Sequence, residues 1–235
     1  MIDWTTFTND PNDPTTQSRV LEEIRRIQLV HCDTDLVGYV ERVAAGKRML
    51  DIGMADPSHF LGDAWRHHRF TMVASYCLGI DINKRLVEGA LQRGYNVREV
   101  DATSEIDLGV RFDLVFNGDV IEHVDNPIRL MKFSARHLAP GGRILVSTPN
   151  PFSHKFYRKF RRAKTAIVNL DHVAWFTPTM ANEIARRSGL RLEQIHLVRR
   201  MGVIQRALKN IAWNIEPIEY SFPAYLFEFS RPSLT

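Results

Sequence analysis

The chain has 235 residues, of which 44% are hydrophobic and 25% are charged, a composition typical of a globular protein. No apolar stretch approaches the roughly 20 residues that a membrane-spanning helix needs, and the N-terminus lacks the basic and apolar regions of a signal peptide. Cys32 and Cys77 are too few for a disulfide framework or a thiolate zinc site. We therefore expect a cytoplasmic protein with reduced thiols.

The net charge of +4 has a local origin. Residues 155–164 contain six Lys and Arg residues and no acidic residue, and outside them 25 basic residues face 27 acidic ones. The rest of the chain is therefore slightly acidic. A nucleic-acid partner is disfavoured, because no recognisable binding module accompanies the basic segment.

Helical spacing of apolar residues dominates the start of the chain. Residues 15–31 form a broad apolar stripe at the period of a helix. A second helix is predicted at about 33–45, with Gly46 placed to end it. We predict that residues 1–46 form an N-terminal helical extension.

From residue 47 onward, short apolar runs of strand length alternate with runs of helical length. Such alternation predicts a parallel sheet covered by helices on both faces. A last strand at 220–229 contains Pro223, which suits a sheet edge. We predict an α/β fold with a Rossmann-like, doubly wound, mostly parallel seven-stranded sheet and an antiparallel edge strand. The other predicted strands are 49–53, 76–82, 96–100, 112–116, 143–147 and 191–198, and the predicted helices are 59–71, 84–93, 126–138 and 178–188.

Polar and small residues follow four of these strands at their carboxyl ends, where ligands collect in an open α/β sheet. Asp81 can accept hydrogen bonds from both hydroxyls of a ribose, and Asp101 can bond the exocyclic amine of adenine. Gly53 permits close approach of the backbone to a ligand, and the main chain at Asn117 and Gly118 can hold an amino-acid portion. The candidate cofactor-binding residues are Asp51, Gly53, Met54, Asp81, Ile82, Asp101, Ala102, Asn117 and Gly118.

Five segments within 47–150 resemble, in order, the class I S-adenosylmethionine-dependent methyltransferases, above all the ubiquinone-type and related small-molecule branch. Residues 171–178 are similar to a stretch of methyltransferases encoded near glycan-synthesis genes. The resemblance implies S-adenosylmethionine as cofactor and a methyltransferase domain over 47–235. Within that domain, 151–176 is an inserted basic segment on the substrate side. The five segments are RMLDIG, LGIDI, VDA, FDLVFNGDVIEHV and LAPGGRILVSTPNP.

The loop after the first strand departs from that family's Asp-x-Gly-x-Gly-x-Gly pattern, because Ala55 and Pro57 replace two glycines. The loss argues against a dinucleotide, whose pyrophosphate needs a glycine-rich backbone. Asp81 lies 28 residues beyond Gly53, against about 20 in nucleotide-binding units, and a helical insertion at 59–71 accounts for the gap. The alternative is a degenerate domain that binds no cofactor.

Two residues just past the fourth predicted strand, Glu122 and His123, are placed beside the expected methyl group. We predict His123 as first candidate for the general base that a hydroxyl acceptor requires. The resemblance implies His172 as the second, because the region after the fifth strand commonly folds over the acceptor in that family. In the alternative interpretation, these side chains only fix loop geometry by hydrogen bonds. Residues 117–120 lack the motif of base- and amide-methylating enzymes, which favours oxygen as acceptor.

Asp119, Glu122 and His123 also resemble the acidic-x-x-Glu-His arrangement that holds Mg²⁺ in some O-methyltransferases. Aspartate at the first position shortens the reach of that ligand, and many relatives with similar residues use no metal. We predict that no metal ion is bound.

The segment 152–164 is predicted to form a basic amphipathic helix with an aromatic face. Three roles remain open for this helix. Its aromatic face can pack on the domain, it can dock on anionic lipid, or it can hold a phosphorylated or nucleotide-linked substrate.

Together these features predict O-methylation of a saccharide or glycan-precursor hydroxyl, in polysaccharide biosynthesis. One alternative is a quinone or other small-metabolite methyltransferase. The other is a non-catalytic partner subunit that retains the fold.

Overall fold

A mixed eight-stranded β-sheet organises the chain in the computed structural model, which describes residues 2–56 and 59–232. Pro57 of the predicted cofactor loop lies outside these residues. The strands are β1 (Gln28–His31), β2 (Arg48–Ile52), β3 (Tyr76–Asp81), β4 (Val97–Glu99), β5 (Phe112–Gly118), β6 (Leu138–Pro149), β7 (Arg191–Val198) and β8 (Ala224–Ser230).

The strand order is β1-β7-β8-β6-β5-β2-β3-β4. Only β8 runs antiparallel to its neighbours, β6 and β7, among the described strands. The predicted Rossmann-like α/β fold is confirmed, with two corrections. The sheet has eight strands rather than seven, and the antiparallel strand is internal rather than at an edge. Pro223 precedes β8 directly, so the strand loses no ladder hydrogen bond to it.

The described residues form eight α-helices, and six of these begin after a side chain that accepts a hydrogen bond from a backbone N–H of the first turn. These capping residues are Asp13, Asp35, Asn83, Asn126, Ser153 and Thr177. The helices are α1 (Pro14–Arg26), α2 (Leu36–Ala44), α3 (Arg66–Val73), α4 (Lys84–Leu91), α5 (Pro127–Arg136), α6 (His154–Ala163), α7 (Pro178–Arg187) and α8 (Val203–Ala212).

The N-terminal segment is not wholly helical, because the helix predicted over 15–31 ends at Arg26. The next residues form the edge strand β1, which pairs in parallel with β7, as in Gln28 with Ile195. Because the four-residue strand β1 follows α1 almost directly, its apolar residues continue the helical pattern of α1. Periodicity alone therefore predicted a helix that runs too far. Residues 1–46 therefore contribute a strand to the sheet.

The predicted helix 59–71 is also wrong over its first half, since α3 begins only at Arg66. Turns precede it, and Leu61 adopts a left-handed φ of 64°. Trp65 is fully buried, and its indole N–H donates to the carbonyl of Met54 at 2.7 Å. This anchor holds the segment against the loop after β2 and fixes where α3 starts.

Two hydrophobic layers cover the sheet. One contains α1, α5 and α7, represented by Ile24, Phe133 and Ile184, and the other contains α2 and α3, represented by Val40 and Phe70. The layers leave the carboxyl ends of the central strands uncovered. Within 2–56 and 59–232, no helix is long and apolar enough to cross a bilayer.

Candidate active site

A cleft of about 600 Å³ lies at the carboxyl ends of β2, β3 and β5. In the sheet, β2 stands between β3 and β5, so the strand order reverses here, where α/β sheets bind ligands. Six of the nine predicted cofactor-binding residues line the cleft, as the sequence predicted from their positions after the strands. They are Gly53, Asp81, Ile82, Asp101, Ala102 and Gly118.

Three predicted cofactor-binding residues, Asp51, Met54 and Asn117, do not bring their side chains to the cleft. Asp51 is fully buried, and its carboxylate pairs with His67 Nδ1 at 2.9 Å. The Asn117 amide donates to Ser134 Oγ at 3.1 Å. The Met54 side chain is also fully buried, in a separate apolar cluster. Only the main chain of these residues remains near the ligand edge.

Asp81 joins two walls of the cleft. Its Oδ2 accepts from the Ala55 N–H at 3.0 Å, and its Oδ1 accepts from the Asn83 N–H at 2.8 Å. An ionised carboxylate has about four acceptor positions, so this half-buried group retains acceptor capacity toward the cleft. It suits a ligand with neighbouring hydroxyls.

Arg66, at the start of α3, enters the cleft although the sequence pattern gave no signal for it. Its guanidinium donates to the carbonyl oxygens of Gly53 and of Gly118, the latter at 2.8 Å. The side chain is mostly buried, and Nη1 lies 3.9 Å from the Asp119 carboxylate. Arg66 therefore places a cation between the ends of β2 and β5.

A second cluster adjoins the cleft, and it unites the three predicted catalytic residues Glu122, His123 and His172. One ligand atom from each lies within 4.8 Å of the others. The Val173 N–H donates to the Glu122 carbonyl at 2.9 Å, which fastens the segment after α6 over the end of β5. The two imidazole rings meet edge to face, with centroids 4.6 Å apart.

Within this cluster, His123 has the geometry of a general base. It lines the cleft, and its Nδ1 lies 3.1 Å from the carboxylate of Asp171. When Nδ1–H donates a hydrogen bond to that carboxylate, the unprotonated Nε2 is free to accept a proton, so Asp171 favours the tautomer that a base requires. His172 does not line the cleft, and burial together with the neighbouring His123 lowers its pKa. The structure therefore favours His123 as the base, with Asp171 as an orienting group that the sequence did not assign.

Glu122 is almost fully buried, and its Oε2 accepts from Thr148 Oγ1 at 3.1 Å. Burial, with the nearby charge of Asp119, raises the pKa of Glu122 to about 7. Its Oε1 and the Nδ1 of His172 have no hydrogen-bond partner among the described residues. These two orphaned atoms could serve as metal ligands.

The donor set that fits a cation differs from the predicted one. Asp119 instead accepts from Ser147 Oγ at 2.9 Å, and the group of convergent ligands is Glu122, His123 and His172. Two imidazoles and one carboxylate suit a first-row transition ion better than Mg²⁺, which prefers oxygen ligands. Our prediction of a metal-independent reaction stays a prediction.

Residues 30–195 match the protein family described as "Methyltransferase domain". The chain belongs to this methyltransferase family. The predicted enzyme class and S-adenosylmethionine as cofactor are thereby confirmed. Among curated relatives, the methyltransferase is 26% identical over 188 residues to the ubiquinone biosynthesis O-methyltransferase of Coxiella burnetii, across 73% of this chain and 74% of the relative. It is 27% identical over 184 residues to the protein of the same name from Dechloromonas aromatica, across 74% and 69%.

Solved structures share the fold of the methyltransferase at lower identity. An S-adenosylmethionine-dependent methyltransferase from Mesorhizobium loti superposes with a TM-score of 0.54 at 19% identity, over 82% of this chain and 96% of that one. The N-methyltransferase NodS from Bradyrhizobium japonicum, in complex with S-adenosylhomocysteine, gives a TM-score of 0.53 at 14% identity, over 97% and 94%. These matches confirm the architecture of the sheet.

The charged side chains that line the cleft of the methyltransferase suit S-adenosylmethionine. Asp81 would offer acceptors for the ribose, and Arg66 would offer a cation for the carboxylate of the methionine portion. Gly53 adopts a φ of +72°, and a Cβ there would lie 2.2 Å from Val120 Cγ2. Any side chain larger than hydrogen at position 53 would therefore collide with Val120.

Substituting Gly53 tests this turn. Gly53→Ala forces a left-handed conformation, which costs about 1–2 kcal/mol, and adds a collision with a stiff β-branched side chain. Gly109→Ala is the matched control, because Gly109 has the same φ of +72° and no described atom within 4 Å of the added Cβ. We expect Gly53→Ala to lower both the melting temperature and the affinity for S-adenosylhomocysteine. Gly109→Ala should lower only the melting temperature. Equal losses of cofactor affinity would contradict this account.

Arg66 can be tested with ligands that differ only in the amino-acid portion. A hydrogen bond to a charged group contributes about 1.5–3 kcal/mol, so Arg66→Gln should weaken S-adenosylhomocysteine binding roughly 10- to 100-fold. Binding of methylthioadenosine, which lacks the carboxylate, should be nearly unchanged by calorimetric titration. Arg69→Gln is the control, because Arg69 lies on the same helix and pairs with Glu41 instead. Equal weakening of both ligands by Arg66→Gln would remove Arg66 from carboxylate binding.

Proposed function

We propose that the methyltransferase methylates a hydroxyl oxygen of a saccharide or glycan precursor. The observation that carries this proposal is the Asp171–His123 pair at the edge of the cofactor cleft. A hydroxyl must lose its proton as it attacks, and an oriented imidazole is suited to accept that proton. An amine acceptor in its neutral form has no such need before attack.

The protein residues divide the work of transfer. Asp81 and Arg66 position the cofactor, and positioning of this kind can supply about 7–11 kcal/mol of the barrier. Bound S-adenosylmethionine supplies an electrophilic methyl group on its sulfonium. Nε2 of His123 takes the hydroxyl proton while the O–C bond forms and the C–S bond breaks. Asp171 stabilises the resulting imidazolium and holds the ring toward the cleft.

Polar groups on the acceptor side support a saccharide. Asn169 and Asp171, close to His172 in the chain, line the cleft and offer hydrogen-bonding atoms. The resemblance of residues 171–178 to methyltransferases of glycan-synthesis clusters points the same way. Helix α6 precedes Asn169 in the chain, and its Lys and Arg residues suit the phosphate of a nucleotide- or lipid-linked sugar.

A phenolic quinone precursor is the second candidate acceptor. The curated relatives are named for ubiquinone biosynthesis, and the side chains of Leu170 and Val173 next to His172 are exposed. A hydrophobic acceptor tail would cover them. This acceptor uses the same base and the same cofactor site.

An acceptor panel distinguishes these proposals. The enzyme is incubated with methyl-labelled S-adenosylmethionine and either nucleotide-linked sugars, lipid-linked sugars, or catechols with a prenyl chain. We expect label transfer to a sugar hydroxyl, located by NMR of the product, together with S-adenosylhomocysteine formation. Transfer only to catechols would replace the saccharide proposal with the second candidate, and transfer to an amine would overturn both.

A further inference from the structure

Helix α8 turns an apolar face to solvent. Ile204, Leu208 and Ile211 of α8 recur at helical spacing, which places them on one face, and Ile215 lies in the turn just beyond the helix. Their exposed fractions are 78%, 64%, 66% and 87%. None of the α8 residues, all of which are described, is buried. A contiguous exposed apolar face of this kind marks an interaction surface.

Contacts on the domain side fix this orientation. Trp213, at the C-terminal end of α8, donates its indole N–H to Ser221 Oγ at 3.0 Å. Its ring lies against Phe222, with centroids 5.9 Å apart, and Phe222 is fully buried. The helix is thus attached by its end while its apolar face points outward, and the domain core leaves that face uncovered.

Positive charge surrounds the apolar face. Residues 199–212 contain four Lys and Arg residues and no acidic residue, and 155–164 in and beside α6 contain six and none. The two segments adjoin, because the His154 ring at the start of α6 contacts Tyr220 beyond α8, with centroids 5.9 Å apart. Burial lowers the pKa of His154, and so do the charges of Lys209 and Arg158. The cations of both helices therefore share one side of the molecule.

Helix α6 adds aromatic residues to the same surface. Phe152, Tyr157 and Phe160 have exposed fractions of 62%, 47% and 43%, while Phe156 packs inward on Trp175, with ring centroids 5.0 Å apart. Packing on the domain therefore accounts for only one of the four aromatic side chains. Exposed aliphatic and aromatic residues bordered by Lys and Arg are the composition of a helix that lies in a lipid interface.

We propose that α8 and α6 together dock the methyltransferase on an anionic lipid bilayer. The apolar face of α8 enters the boundary between headgroups and acyl chains, and the surrounding Lys and Arg residues contact lipid phosphates. A protein partner is disfavoured because residues 155–164 and 199–212 carry ten cations and no acidic residue, which matches an extended anionic surface. The inference is independent of the acceptor, although docking would bring Trp175 and His172, whose rings are 6.2 Å apart, close to the membrane surface.

Vesicle flotation with the full chain tests the proposal. The vesicles contain phosphatidylcholine alone or phosphatidylcholine mixed with phosphatidylglycerol, each at low and high salt. We expect binding to the mixed vesicles only, weakened by salt. The triple variant I204Q/L208Q/I211Q should bind at least tenfold more weakly, because each buried CH₂ contributes about 0.8 kcal/mol to membrane binding. The charge variant R158Q/R162Q should lose most of the salt-sensitive part.

The control variant is M72Q, since Met72 is 72% exposed on α3. Its binding should equal that of the wild type. Unchanged binding of the triple variant, or equal binding to both kinds of vesicle, would overturn the proposal. Sedimentation velocity tests whether the apolar face of α8 binds a second copy of the chain instead. A wild-type dimer that becomes a monomer in the triple variant would assign the face to self-association and overturn the proposal. Circular dichroism of each variant verifies that the fold is retained.

Discussion

Replacing Asp81 with alanine is expected to weaken binding of S-adenosylmethionine by roughly 10²–10⁴-fold. Two ribose hydroxyls donating to a carboxylate contribute about 1.5–3 kcal/mol each, and every 1.4 kcal/mol is a factor of ten in affinity. The change also removes the hydrogen bonds from the Ala55 and Asn83 N–H groups. The affinity loss therefore combines a missing ligand contact with a loosened loop after β2.

Asp113 provides the matched control for this substitution. Its carboxylate also accepts from a backbone N–H of another strand, that of Arg48 at 2.9 Å, but it is not among the residues that line the cleft. Asp113→Ala should lower the melting temperature without changing cofactor affinity by more than a few-fold. Isothermal titration with S-adenosylhomocysteine measures both variants. If Asp81→Ala bound the ligand as tightly as the wild type, Asp81 would have no place in the cofactor site.

The sequence predicted the cofactor edge of the cleft because topology alone brings strand ends together. Asp81 and Gly118 are 37 positions apart, yet parallel strands with helical crossovers must deliver their carboxyl ends to one edge. No side-chain contact had to be known for that inference. The same reasoning predicted Gly53, which lines the cleft, although two glycines of the usual loop are absent.

Side-chain direction was less predictable than strand position. Side chains alternate between the two faces of β2. Leu50 and Ile52 point into one core layer, so Asp51 between them points to the opposite layer, where its carboxylate contacts His67 of α3. A polar side chain at a strand end can bond either to a ligand or to a neighbouring helix. Which of the two it does depends on the side chains that the helix places opposite it. That information lies in tertiary packing rather than in spacing.

Arg66 shows a second limit of sequence interpretation. The sequence predicted only a helical insertion over residues 59–71, and an arginine in such a segment carries no functional signal. The turns that precede α3 and the buried Trp65 set the start of the helix, and hence the direction of Arg66. Likewise, the contact between the rings of His123 and His172, which are 49 positions apart, could be expected only from the family resemblance.

His123→Ala is expected to lower kcat by about 10²–10⁴-fold, the usual contribution of a general base. Cofactor affinity should change little, because His123 contacts Asp171 and His172 rather than Asp81 or Arg66. Asp171→Asn should cause a smaller loss of kcat, since an amide orients the imidazole but does not stabilise its charged form. Rates are measured with the acceptor that the panel identifies, with S-adenosylmethionine saturating.

His68→Ala is the control, because the half-buried His68 bonds to Tyr95 at 2.9 Å and does not line the cleft. It should retain a kcat close to that of the wild type. Repeating the assays in excess EDTA separates a base from a metal ligand. Wild-type activity that survives EDTA, with His123→Ala inactive, supports proton transfer to His123. Activity that EDTA abolishes and a divalent ion restores would instead make Glu122, His123 and His172 a metal site, in contradiction of both the base assignment and the predicted metal independence.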